Sequence, residues 1–162
     1  MLASGLWAAA QPIDEINELL TKKDYAGARG VADKYIGEPK NQSKPDAWFF
    51  KGFTYKFCFN DATLDATNKL SKGEESFAAL KKYLELEPRQ IRLKLDNYAS
   101  FRDLYFDFYE FGIRQFNEKE YDQAYRSFKK ALEIKDFILE KKYEYKEVKY
   151  SALDTNLVVN AG

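Results

Sequence analysis

No histidine occurs anywhere in this sequence. That removes the commonest general base and the commonest transition-metal ligand, and with them any Ser-His-Asp triad or Cys-His pair built from this chain alone. There is a single cysteine, Cys58, so no internal disulfide can form. Flanked by Phe57 and Phe59, it reads as a small buried hydrophobe and not as a reactive thiol. The eight glycines are scattered, and none opens a phosphate-binding loop. Excess charge is also missing, because 26 basic residues cancel 26 acidic ones. A general nucleic-acid binder needs a basic patch to displace counterions, so that partner class is not expected. No run approaches the roughly 18 apolar residues of a membrane-spanning helix. Carboxylate pairs such as Asp103 with Asp107 and Glu118 with Glu120 read as solvated helix faces. Asp61, Asp65 and Asn68 lack the alternating ligands, central glycine and closing glutamate of a calcium loop. They read as capping groups in a polar loop. The expectation is a chain with no enzyme activity, no metal and no cofactor.

What the sequence has is aromatic residues and helical periodicity. Thirteen Phe, twelve Tyr and two Trp make 17% of the chain aromatic. Met1 to Gln11 is apolar and ends in Ala8-Ala9-Ala10, which resembles the tail of an export signal; the alternative is a helical N-terminal extension. An exported location in a bacterial periplasm or envelope follows from the first reading. From Pro12 the chain reads as a helical repeat domain to residue 150, in pairs over about 12–37, 45–88 and 90–148. Asp24 is an N-cap for the second helix, and Pro45 with Asp46 suits a first turn at the third. That helix is expected to run through Phe59. Ser71-x-x-Glu74 reads as a capping box opening the next helix, which stops at Pro88. Ile91 to Asn117 reads as one long helix, bent near Asn97 to Ser100. Tyr121 to Leu139 follows, with the charged residues 140–150 extending it. Residues 151–162 begin a further repeat that is truncated.

Two stretches specify how the helices meet. In one, Trp48, Gly52 and Tyr55 recur at helical spacing. In the other, Gly112 on a first helix faces Ala124 on a second, and Tyr121, Phe128 and Ala131 continue the inward face. This order resembles the tetratricopeptide repeat, and the chain is identified as resembling a bacterial exported member of that family and a piece of a longer protein. The resemblance implies an all-α fold, a right-handed α-solenoid of antiparallel helix pairs with elongated helices and an inserted loop. Gly52 and Ser76 are 24 positions apart where Gly112 and Ala124 are 12 apart, so about twelve residues are inserted. Tyr25, Gly73 and Tyr121 recur every 48 positions, as do Ala28, Ser76 and Ala124.

The resemblance also implies a function. First helices of the family line a concave face that binds an extended peptide or a partner's helix. Here that face would carry Phe49, Phe53, Lys56 and Phe57 from one helix and Phe106, Tyr109, Ile113 and Phe116 from another. The expected function is a non-catalytic protein–protein interaction scaffold with an aromatic-lined groove. Two alternatives stand beside it: a glycan- or small-ligand-binding module using exposed rings, and a structural self-association module that forms homo-oligomers. A neighbouring helix covering the same rings would make them core instead.

Overall fold

The structure is a computed structural model that describes residues 7–145. The readings placed on residues 1–6 and 146–162, including the start of the export signal and the truncated repeat, lie outside the described residues. Seven α-helices form: α1 (Trp7–Thr21), α2 (Tyr25–Gly37), α3 (Pro45–Tyr55), α4 (Ala66–Leu86), α5 (Ile91–Leu95), α6 (Ala99–Asn117) and α7 (Tyr121–Glu140). Short 3-10 helices cover Pro39–Asn41 and Lys56–Asn60, and the described residues are all-helical. Helix α1 packs on α2, α3 on α4, and α6 on α7; α2 also meets α3, and α4 meets both α6 and α7.

Local chemistry explains the boundaries. The Asp24 carboxylate accepts the Gly27 amide at 2.8 Å and starts α2. Pro45 occupies the first turn of α3, where its missing N–H costs nothing, and Asp46 lies at that positive end. Beyond Tyr55 the helix tightens into the 3-10 turn instead of running on as α-helix to Phe59. The capping box at Ser71 does not form. Asp65 starts α4 six positions earlier, its carboxylate accepting the Asn68 amide at 2.7 Å. Glu74, assigned to that box, instead binds the Arg126 guanidinium at 2.7 and 2.8 Å. The single helix expected over 91–117 is broken. Asn97 and Tyr98 both take left-handed conformations, with φ of 48° and 56°, and Asp96 accepts the Ser100 amide and hydroxyl at 2.7 Å. Nor does α7 extend into 141–145. The chain turns back at Lys142, and Tyr143 stacks on Tyr98 with centroids 4.0 Å apart.

The two small-residue crossings hold. A Cβ on Gly52 would lie 2.6 Å from Leu80 Cγ, and one on Gly112 would lie 2.7 Å from a Phe128 ring carbon. Buried hydroxyls tie the same crossings: Ser76 donates to the Gly52 carbonyl and Ser127 to the Phe108 carbonyl, both at 2.6 Å. Trp48 anchors its indole N–H on the Gln42 carbonyl at 2.8 Å, and the Tyr55 hydroxyl reaches Asp33. Ala124, Phe128 and Ala131 are buried, but Tyr121 is 57% exposed and leaves the inward face assigned to it.

Helix ends carry an unusual choice. Lys23, Gln90, Asn97, Lys119 and Lys142 follow five helices at φ between 48° and 65°, and no glycine among the described residues has a positive φ. After α6, Lys119 N–H donates to the Phe116 carbonyl and Glu120 N–H to the Gln115 carbonyl, the paired closure in which glycine is favoured. Replacing exposed Lys119 by Gly removes the Cβ penalty of that conformation. We expect it to add about 0.5–1 kcal/mol and raise Tm by about 1–4 °C in a thermal melt.

Candidate functional site

The expected groove divides in two. On α3 and its 3-10 extension, Phe49 is core, 5% exposed, packed edge-on to Tyr83 at 5.5 Å and stacked on Phe53 at 5.7 Å. Phe53 is half-buried and meets Phe57 edge-on at 5.8 Å. Phe57 stacks on Tyr25 of α2 at 5.9 Å, a contact that nothing in the repeat pattern signalled. Lys56 is 6% exposed, and its ammonium lies 4.9 Å from the Phe53 centroid and 5.2 Å from that of Phe57. It also donates to Asp103 Oδ2 of α6 at 2.9 Å. The chain therefore fills this end with its own cation, held by two ring faces and a carboxylate. Phe49 and Lys56 line no open surface.

On α6, Phe106 and Tyr109 are half-buried, and Ile113 and Phe116 are 39% and 48% exposed. Tyr109 rests on Phe128 at 6.0 Å and Tyr105 at 6.3 Å, which fixes its ring from beneath. Phe116 turns the other way and meets Tyr121 edge-on at 5.5 Å. No ring expected in the α3 part of the groove stacks on one expected in the α6 part; the two stretches meet through the Lys56–Asp103 pair and through Phe59, which packs on Phe108 and Phe111 at 4.9 and 5.4 Å. What remains open beside it is Phe106 with Tyr109, next to the carboxylates Asp103, Asp107 and Glu110 that follow at helical spacing.

Asp107 departs from the solvated reading given to it, whereas Asp103 keeps 36% of its side chain exposed. Asp103 is engaged by Lys56 and by Arg102. Asp107 is half-buried and accepts no hydrogen bond among the described residues. Burial pushes its carboxyl up to about 7, helped by the charge of Asp103 and opposed by Lys56. Its place between Phe106 and Phe108 was the available signal. A carboxyl raised from near 4 in the unfolded chain to about 7 in the fold keeps a proton that the unfolded chain has lost. Its contribution is therefore complete below about pH 4 and is lost as the pH rises through 7. Asp107→Asn should match the wild type near pH 4 and exceed it at pH 8 by about 2 kcal/mol, read by urea unfolding at the two pH values.

Away from this face, Cys58 is fully buried, and burial pushes its thiol up to about 12. It donates to the Lys69 carbonyl at 3.3 Å, so it packs as the sequence suggested. A polar cleft of about 500 Å³ lies near Gln90, Lys94, Tyr98 and Lys141–Glu144, and its lining does not suit an apolar partner. No helix among the described residues is long and apolar enough to cross a membrane. Comparison with family models, with curated proteins and with solved structures returns no match for this chain.

Proposed function

We propose that this chain is a non-catalytic scaffold that binds another protein through the α6 face. In this reading the three helix pairs stack as a short right-handed α-solenoid of tetratricopeptide type, and α6 lies on its concave side. The observation that carries it is the pair of half-buried rings Phe106 and Tyr109 on α6, supported by Tyr105 and Phe128. Rings supported from beneath give contact area with little loss of side-chain freedom. The carboxylates Asp103, Asp107 and Glu110 on the same helix favour a ligand that brings a cation. The ligand is thus a peptide or helix bearing an apolar or aromatic anchor and an arginine or lysine near it. Lys56, seated between two rings and Asp103, is an example of the same recognition made within the chain.

The test is site-specific photocrosslinking in an extract of the source organism. A photoreactive phenylalanine replaces Phe106 in one sample and Leu95, 75% exposed on α5, in another. A defined protein crosslinked at 106, absent at 95 and weakened by Asp107→Asn, is the expected result. Equal capture at both positions, or none at 106, refutes the assignment.

A further inference from the structure

We draw no further inference here: the strongest candidate, the polar cleft of about 500 Å³ that Gln90, Lys94, Tyr98 and Lys141–Glu144 line beside the turn after α7, carries nothing, because its lysines are exposed surface groups, the chain runs on from it into residues outside the described ones, and nothing in the structure shows what fills it.

Discussion

Asp61→Ala is expected to cost about 3–5 kcal/mol, a large part of the total stability of a domain this size. Asp61 is 4% exposed and Arg29 is 7% exposed, and their 2.5 Å contact joins α2 to the loop after the 3-10 turn. Removing the carboxylate leaves a guanidinium buried without compensation, and Arg29 already has one nitrogen, Nη1, that finds no partner. Asp61 also accepts the Thr63 amide at 2.9 Å and its hydroxyl at 2.6 Å, so the loop loses its turn at the same time. Arg29→Met separates the two effects. It removes the buried cation and keeps the Thr63 turn. With Asp61→Asn added, it should recover most of the loss, because a buried pair replaced as a pair is far cheaper than one broken. Urea unfolding of Asp61→Asn, Arg29→Met and the double variant decides this, and additive losses in the double variant would show that the ions act independently. Burial pushes the Asp61 carboxyl up, but hydrogen bonds from Thr63 and Arg29 outweigh it and hold the group below its ordinary value. Its stabilisation is thus present above the unfolded carboxyl range and is lost as the pH falls through the lowered one.

Asp61 and Asp107 show what the sequence made legible and what it hid. Periodicity located the helices. Gly52 and Gly112 located the crossings, because a missing side chain in line with large apolar residues marks the point where two backbones approach closely. Caps were harder. Asp24 was readable since it directly precedes a periodic run, whereas Ser71 and Asp65 were both chemically able to start α4. The helix starts at Asp65, which places Ser71 and Glu74 inside it, and Glu74 meets Arg126, 52 positions on, which local spacing does not signal. The bend expected near Asn97 to Ser100 is a full break, set by consecutive left-handed residues at Asn97 and Tyr98. The rings on α3 and α6 were legible, but which of them stay open was not. Whether Lys56 points to solvent or between Phe53 and Phe57 depends on Asp103, 47 positions away, and local spacing does not encode that meeting.

Gly52 and Gly30 are both helical glycines, and alanine at each should have opposite effects. At Gly30, in α2, a new Cβ meets nothing within 4 Å, and the position is exposed. Alanine there gains helix propensity alone and should add about 0.5–1 kcal/mol. At Gly52 the same methyl would lie 2.6 and 2.8 Å from Leu80 side-chain carbons and 3.1 Å from the Leu80 backbone nitrogen. Leu80 is fully buried, so its side chain has no free space to enter, and its backbone nitrogen moves only if α4 moves. Separating α3 from α4 would also stretch the 2.6 Å bond from Ser76 to the Gly52 carbonyl, leaving a buried hydroxyl unpaired. The propensity gain is the same at both sites, so the difference between the two variants isolates the crossing. We expect Gly52→Ala to lose about 2 kcal/mol and Gly52→Val about 4 kcal/mol or more, by chemical denaturation at neutral pH. If Gly52→Ala were as stable as Gly30→Ala, the close approach of α3 and α4 at this point would be wrong. The crossing would then not be what fixes the second pair against the rest of the chain.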